Sequence, residues 1–181
     1  DLPDVPGNFW GYQFPNTGLG YCGVTPFYFS QNSRDYITFF LTDTLEKDRK
    51  YHVSFYISCS DSVKYTTDKI GAFLHLDTIF QNDLFYLPYQ PQIENPSGNL
   101  ITDKINWAKI EGDFISPGGG EKFITLGNFY PDSLTDTISL NNNPISSGNK
   151  AGAYFYIDDV SVTEIPDTTD TTIIPIDTTI Y

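Results

Sequence analysis

The sequence is poor in the residues on which most catalytic and metal centres depend. Its 181 residues include only two histidines and two cysteines, and there is no methionine. No C-x-x-C or H-E-x-x-H motif occurs, which excludes the common zinc signatures. His52 and His75 lie in predicted strands outside any nucleophile motif such as G-x-S-x-G, so we expect structural roles for both. The sequence therefore predicts a protein that is not an enzyme.

Basic residues and long apolar runs are also scarce. Ten lysines and arginines against 23 acidic residues give a net charge of −13, which argues against nucleic acid and anionic membrane surfaces as partners. No apolar run approaches the roughly 18 residues that a membrane-spanning helix needs, so no membrane insertion is expected. The lack of methionine and of a signal peptide predicts a processed, mature chain.

Strand-forming residues are abundant instead. Aromatic residues make up 16% of the chain, and no window of ten or more residues has a helical apolar period with caps. We expect an all-β fold, an antiparallel jelly-roll β-sandwich over residues 1–165. The predicted strands are residues 36–42, 51–60, 69–77, 107–114, 122–129 and 151–165, with a short one near 21–24.

The connections between these strands give further expectations. Residues 36–42 and 51–60 are separated by a polar turn and are predicted to be hairpin neighbours, and the turn 116–120 should join another strand pair. Residues 1–23 are predicted to be mostly loops that pack on the domain through Trp10. The proline-rich residues 82–99 are predicted to form a long surface loop, which we call the surface excursion. Cys22 and Cys59 either form a disulfide or remain two buried free thiols, since spacing does not decide between them.

A family resemblance rests on a succession of segments between Gly20 and Glu164: GYCGV, LEKDRKYHVSFYIS, IGAFL, PQI, ITDKINWAKIEGDF, GGGEKFITLGNF and YFYIDDVSV. This succession resembles a jelly-roll, carbohydrate-binding-module-like domain of secreted surface proteins of Bacteroidota. The resemblance implies an extracellular or outer-cell-surface location, and some members of that family bind glycans. It also implies that Asp158 and Asp159 occupy positions where related jelly rolls hold a structural calcium ion, the one cofactor we predict.

The acidic pair is considered as an acid and base pair, and the loop tyrosines are considered as sugar-binding residues. Asp158 and Asp159 are consecutive in a strand, so we expect their carboxylates to point to opposite faces and not to converge as an acid and base pair. Three loop tyrosines are the candidates for stacking on sugar rings: Tyr86, Tyr89 and Tyr130. Packing inside the loops or the core is the alternative role for these rings.

A short motif recurs more often than composition predicts. Asp followed by Ser or Thr and then Leu, Val, Ile or Thr occurs eight times, where chance gives roughly one copy. The pattern resembles the O-glycosylation sequon of Bacteroidota. The hydroxyl residues that would carry the sugar are Thr44, Ser62, Thr78, Ser133, Thr137, Thr168, Thr171 and Thr178.

The last sixteen residues differ in composition from the domain before them. Residues 166–172 are a linker rich in Thr and Asp, and residues 173–181 resume a strand-like alternation that places Ile174, Ile176, Thr178 and Ile180 on one face. Such an arm either folds back as an edge strand or completes the sheet of a neighbouring subunit by strand donation. We therefore predict a glycosylated structural or adhesive subunit of a surface filament, assembled head to tail from copies of itself or docked on another surface protein. The alternative is a carbohydrate-binding module of a larger secreted protein.

Overall fold

Strands form nearly all of the regular structure in the computed structural model of the chain, which describes residues 5–28, 32–140 and 152–167. Within these ranges the only helical segment is one turn of 3-10 helix at Asp132–Leu134, and every strand pair is antiparallel. No described helix is long and apolar enough to cross a membrane. The predicted all-β antiparallel sandwich is confirmed, whereas the predicted arm at residues 173–181 lies outside the described residues.

Twelve strands occur in the described part of the chain. They are β1 Gly7–Asn8, β2 Gly11–Tyr12, β3 Cys22–Tyr28, β4 Ile37–Phe40, β5 Lys50–Cys59, β6 Tyr65–Thr67, β7 Gly71–His75, β8 Ile93–Glu94, β9 Ala108–Ile115, β10 Phe123–Gly127, β11 Thr137–Ser139 and β12 Gly152–Glu164. One four-stranded sheet has the order β3-β12-β5-β9, and we call it the β12 sheet. The other has the order β4-β10-β7-β8, and we call it the β10 sheet. Two small ladders, β1-β2 and β6-β11, complete the set.

Both hairpin predictions are wrong because the chain changes sheets at the two turns concerned. β4 pairs with β10 while β5 pairs with β12 and β9, and β9 and β10 likewise lie in different sheets. The two connections contact each other at one end of the sandwich. There the backbone N–H of Leu45 donates to the Glu121 carbonyl at 2.9 Å, and that of Gly120 donates to the Leu45 carbonyl at 2.7 Å. Leu45 is buried, so the turn that looked like a hairpin loop instead closes the core.

The core lies between the two sheets and follows the period-two alternation of their strands. Phe55 and Ile57 on β5 and Phe155 on β12 meet Leu74 on β7 and Ile124 on β10, and each is at most 2% exposed. Truncation of such a buried phenylalanine to alanine costs about 3–5 kcal/mol in the free energy of unfolding. The alternation seen in residues 51–60 of the sequence is therefore the main determinant of this side of the core.

The N-terminal segment covers the Tyr154 end of the outer face of the β12 sheet. The Trp10 ring stacks on Tyr154 with centroids 4.2 Å apart and planes 13° apart, which is the packing role predicted for it. Gly23 on β3 permits this approach, because a Cβ at that position would lie 2.0 Å from the Tyr154 hydroxyl. The strand predicted at 21–24 is β3, and it runs on to Tyr28.

The predicted surface excursion at residues 82–99 is correct only for its first half. Residues 81–85 and 88–90 are exposed, but the chain then re-enters the fold as β8, which pairs with β7. Asn95 is 1% exposed, and its side-chain amide donates to the carbonyls of Asp68 and Asn99, each at 2.7 Å. A polar residue is buried here because the backbone around it satisfies its hydrogen bonds.

The two cysteines are free thiols on opposite sides of β12. Cys22 on β3 pairs with Ile157, and Cys59 on β5 pairs with Phe155. Two strand spacings, about 10 Å, therefore separate them, which exceeds the Cα separation that a disulfide spans. Burial, with a smaller contribution from Asp158 at Cys22, raises the pKa of each thiol to about 11. Both thiols stay protonated near neutral pH.

Candidate functional site

The outer face of the β10 sheet is aromatic rather than polar. On β7 the core residues Ala72 and Leu74 alternate with Phe73 and His75, so this strand is apolar or aromatic on both sides. Strands β4 and β10 contribute one ring each to the same face, and the loop before β8 contributes another. We call this set the aromatic face, and its members are Phe40, Phe73, His75, Tyr89 and Phe123.

Four rings of the aromatic face form a column of nearly parallel planes. Tyr89 stacks on Phe73 at 4.7 Å between centroids, Phe73 on His75 at 5.4 Å, and His75 on Phe123 at 5.2 Å, with interplanar angles of 11–12°. The inner rings bury one another, whereas the two ends are open to solvent. Tyr89 at one end is 42% exposed, and Phe40, tilted against Phe123 at the other, is 79% exposed. Free ring faces are thus available only at the ends.

A chain of hydroxyl groups fixes the imidazole at the centre of the column. His75 Nδ1 lies 2.7 Å from the Asp77 carbonyl, which only accepts, so this nitrogen carries the proton. Nε2 of the neutral ring then accepts from Thr125 Oγ1 at 2.8 Å, and Thr125 accepts from Thr38 Oγ1 at 2.7 Å. Burial lowers the pKa of His75, which agrees with a neutral ring.

A polar cluster lies beside the Tyr89 end of the column. The Tyr130 hydroxyl donates to Glu94 Oε2 at 2.8 Å and accepts from Gln90 Nε2 at 3.2 Å. Burial and the Glu94 carboxylate raise the pKa of Tyr130, so its hydroxyl stays protonated near neutral pH. Lys69 Nζ lies 5.2 Å from the centroid of the Tyr130 ring and occupies one side of it. An exposed aromatic ring therefore lies next to a group of hydrogen-bonding side chains.

The three tyrosines predicted from the sequence have different environments. Tyr89 offers an exposed ring, and Gln90, its neighbour in the chain, connects it to Tyr130. Tyr130 contributes its hydroxyl more than its ring, and Tyr86 is half-buried. The sequence analysis missed Phe73 and Phe123 as members of this surface. Apolar residues at consecutive positions of β7 and β10 were the signal that both sides of these strands are covered.

The expectation that Asp158 and Asp159 diverge is wrong. β12 has a bulge between Asp158 and Ser161, and Asp159 has a positive φ of 48°, so the regular alternation is broken at this pair. Both carboxylates reach the same loop of the N-terminal segment. Asp158 Oδ2 accepts from the Asn16 backbone N–H at 2.8 Å, and Asp159 accepts from Asn16 Nδ2 at 2.6 Å and from Thr17 Oγ1 at 2.5 Å.

These contacts bear on the predicted calcium ion. Each of the four carboxylate oxygens already accepts a hydrogen bond, the fourth from the Asp159 backbone N–H to Asp158 Oδ1 at 2.8 Å. Among residues 5–28, 32–140 and 152–167, no group of three or more His, Cys, Asp or Glu side chains could hold a metal ion. The two carboxylates offer at most four of the six to eight oxygen ligands that calcium takes, and all four oxygens already accept hydrogen bonds, so the pair fits a clamp on the N-terminal loop better than an ion site. Calcium binding stays a prediction.

His52 lies on the outer face of the β12 sheet within a group of exposed charges. Its Nδ1 is 2.9 Å from Asp113 Oδ1 and its Nε2 is 3.1 Å from Glu111 Oε2. Lys50 and Lys109 pair with the same two carboxylates at 2.7 Å and 2.5 Å. Since both ring nitrogens of His52 contact carboxylates, neither is left to activate a nucleophile. We find no catalytic arrangement around this histidine.

Five of the eight predicted sequons fall on described residues. Thr44, Thr78 and Ser133 are exposed, whereas Ser62 and Thr137 are half-buried. One sequon aspartate has a structural role, since Asp132 forms an ion pair at 2.7 Å with the buried Arg34. Thr168, Thr171 and Thr178 lie outside the described residues, as do the arm residues Ile174, Ile176 and Ile180. Glycosylation and the role of the arm stay predictions.

Comparisons with known proteins give distant similarities to solved structures. No family model and no curated protein matches the sequence. Among solved structures, the chain is similar to the CBM22-1 xylan-binding domain from Paenibacillus barcinonensis Xyn10C, with 14% identity and a TM-score of 0.45 over 84% of this chain and 76% of that chain. It is also similar to a CBM4 structure, with 12% identity and a TM-score of 0.42 over 82% of this chain and 74% of that chain. Similarities this distant carry no argument about function.

Proposed function

We propose that this chain is a glycan-binding module of an extracellular or cell-surface protein. The observation that carries the proposal is the open end of the aromatic face, where the exposed Tyr89 ring adjoins the cluster of Gln90, Glu94 and Tyr130. A sugar presents apolar C–H faces and a rim of hydroxyl groups. An aromatic ring beside an amide and a carboxylate is complementary to both features.

The proposed binding mode assigns a different role to each side chain. Tyr89 stacks on a sugar ring with the side that does not contact Phe73, and the column behind it holds it in place. The exposed Glu94 carboxylate accepts hydrogen bonds from sugar hydroxyls while it keeps its bond from Tyr130, because each carboxylate oxygen accepts more than one. Gln90 supplies a carbonyl oxygen and an amide donor. Neutral glycans suit this acidic protein better than polyanionic ones.

The test is binding to a glycan array, followed by affinity electrophoresis on the polysaccharides that score. Tyr89→Ala and Glu94→Gln should each weaken binding at least about tenfold, as the loss of a central contact does. Phe14→Ala is the matched control, since Phe14 is an exposed aromatic residue that accepts a hydrogen bond from Trp107 on the side of the β12 sheet. Unchanged binding in Tyr89→Ala, or an equal loss in Phe14→Ala, would contradict the proposal.

A glycosylated filament subunit is the second candidate function. It rests on the sequons and on residues 173–181, and one observation favours it, an open cleft between the two sheets. Intact-mass measurement of the native protein tests the glycan part. A mass above the 20.4 kDa of the chain, with sugars located on exposed sequon residues such as Thr78 and Ser133, is the expected result. A mass equal to that of the bare chain would remove the glycosylation argument.

A further inference from the structure

One side of the sandwich is open between the two sheets. The opening is a cleft of about 1110 Å³, and we call it the β4–β12 cleft after the strands on its two sides. Its walls carry apolar side chains, with Phe39 and Leu41 at β4 and Val160 and Val162 on β12. Its lining also includes five acidic residues, namely Asp43, Glu46, Asp158, Asp159 and Glu164. Its inner end reaches core residues, namely Leu45, Tyr51, Ile124 and Ile157. Apolar side chains that enter the cleft gain burial against its apolar walls and inner end.

Both sides of the β4–β12 cleft are strand edges without a partner in the described residues. β4 pairs with β10 along one edge, and no described strand pairs with its other edge. The pairing of β3 with β12 ends at Cys22 and Ile157, so within the described chain residues 158–164 of β12 pair with β5 alone. Open edges present unpaired N–H and C=O groups to an added strand. The cleft thus has the form of a sandwich that lacks one strand.

We propose that the β4–β12 cleft accepts residues 173–181 of a second copy of this chain as that strand. In a strand, alternation would put three of the four isoleucines of this segment, Ile174, Ile176 and Ile180, toward the apolar walls. Ile173 would share the solvent side with Pro175, Asp177 and Thr179. Seven residues of β12, 158–164, have no strand partner on this edge among the described residues, and they span roughly 23 Å. A nine-residue strand spans roughly 30 Å. The segment is therefore long enough to cover the open edge.

The chain between β12 and this segment favours a neighbour's cleft over its own. The backbone N–H of Ile165 donates to the Lys50 carbonyl at 2.8 Å, so the chain continues along β5 beyond the last residue of β12. Residues 165–172 contain four threonines and a proline but no glycine or asparagine. The β-branched threonines favour extended backbone, whereas Pro166 and the two aspartates are compatible with a turn, so the course of the chain along β5 is the observation that favours a second copy. Donation to a second copy is heterologous, so repeated contacts build an open chain of subunits.

This inference does not depend on glycan binding, and it supplies the acceptor site that the filament candidate needs. Two full-length variants test it, each removing one half of the contact. Val160→Lys places a charge in the acceptor cleft, and Ile176→Asp places one in the donor segment. Light scattering after size exclusion and electron microscopy of each protein give the size of the assemblies. Wild type should form chains of many subunits, and each variant alone should be monomeric.

The decisive measurement is an equimolar mixture of the two variants. The intact segment of the Val160→Lys chain should enter the intact cleft of the Ile176→Asp chain. The expected product is a dimer that contains one chain of each variant, and nothing larger should form. Formation of that dimer also shows that both variants fold. Leu41→Lys, on the opposite wall of the cleft, should behave as Val160→Lys does. Thr163→Lys, an exposed position on β12 outside the cleft, and Thr179→Asp are the matched controls and should assemble as wild type does.

Three outcomes would overturn the inference, and they separate it from the functions proposed above. Assembly that survives both Val160→Lys and Leu41→Lys would leave the filament function standing but would exclude this cleft. Assembly that survives Ile176→Asp would exclude the segment as the donor. A monomeric wild type that Ile176→Asp destabilises would show that the segment fills its own cleft, and the filament function would be lost as well. None of these variants touches Tyr89, so glycan binding is tested separately.

Discussion

The outer faces of the two sheets are built differently although both sheets share one core. The β10 sheet presents a column of stacked rings. On the β12 sheet, Trp10 covers the Tyr154 end, and the other end presents ion pairs among Lys50, Lys109, Glu111 and Asp113 around His52, which we call the charged face. The charged face shows that this part of the sheet folds without an apolar exterior. The core therefore does not require the aromatic face. Its rings add local stability by packing on one another, and they leave an exposed ring for a ligand.

The two faces should differ most in how much an alanine substitution lowers the free energy of unfolding. Phe123→Ala removes a ring that is 5% exposed and packs against both His75 and Phe40, so it should lower the free energy of unfolding by about 3 kcal/mol. Ile115→Ala, at a 58% exposed position of β9, is the control and should cost less than about 1 kcal/mol. Urea unfolding monitored by circular dichroism gives both values. Equal losses would mean that the aromatic column contributes no special packing.

The second-largest effect should be the change in the free energy of unfolding with pH that His75 of the aromatic face causes. Burial lowers the pKa of His75 below the usual 6.5, so the unfolded chain binds a proton more readily than the folded chain. Stability should therefore fall as the pH drops from 6.5 toward the lowered folded pKa, and this contribution should be fully present above 6.5. His75→Gln should remove that part of the pH dependence, as measured by urea midpoints between pH 7 and pH 5. His52 is common to both proteins, so its contribution cancels in the difference.

The control for the pH experiment comes from the charged face. His52→Gln removes the other histidine, which is not enclosed between rings and contacts Asp113 and Glu111 at the surface. The steeper loss of stability below pH 6.5 should remain in this variant. If His52→Gln rather than His75→Gln flattens the profile, the buried imidazole is not the group responsible.

The smallest effect should come from the ion pairs of the charged face. Hydrogen bonds from Lys109 and His52 lower the pKa of Glu111, but the carboxylate is fully exposed and solvent screens its charge. Glu111→Gln should leave the urea midpoint unchanged within error at both low and high salt. A clear loss of stability at low salt that disappears at high salt would show that this network matters, and the contrast between the two faces would then be weaker than the structure indicates.

The predictions from sequence succeeded where the information was local. Period-two alternation at residues 51–60 identified β5, and the long aromatic run at 151–165 identified β12. They failed where contacts are distant in the chain. The turns after β4 and β9 look like hairpin loops, yet each crosses between sheets because Leu45 packs in the core and pairs with the other turn. The bulge that turns Asp158 and Asp159 toward Asn16 depends on a partner more than 140 residues away, and no local pattern reveals it.

The sequence by itself determined the fold class, the acidic surface and the positions of most strands, because these follow from composition and from the alternation of side chains along a strand. Only the tertiary structure decided which strands are neighbours. That choice brings Phe73, His75 and Phe123 into one column, and, as far as the structure describes the chain, it leaves the edges of β4 and β12 open on the same side of the sandwich. Alternation tells which residues share a face, whereas the order of strands in a sheet depends on long-range packing that no single segment encodes.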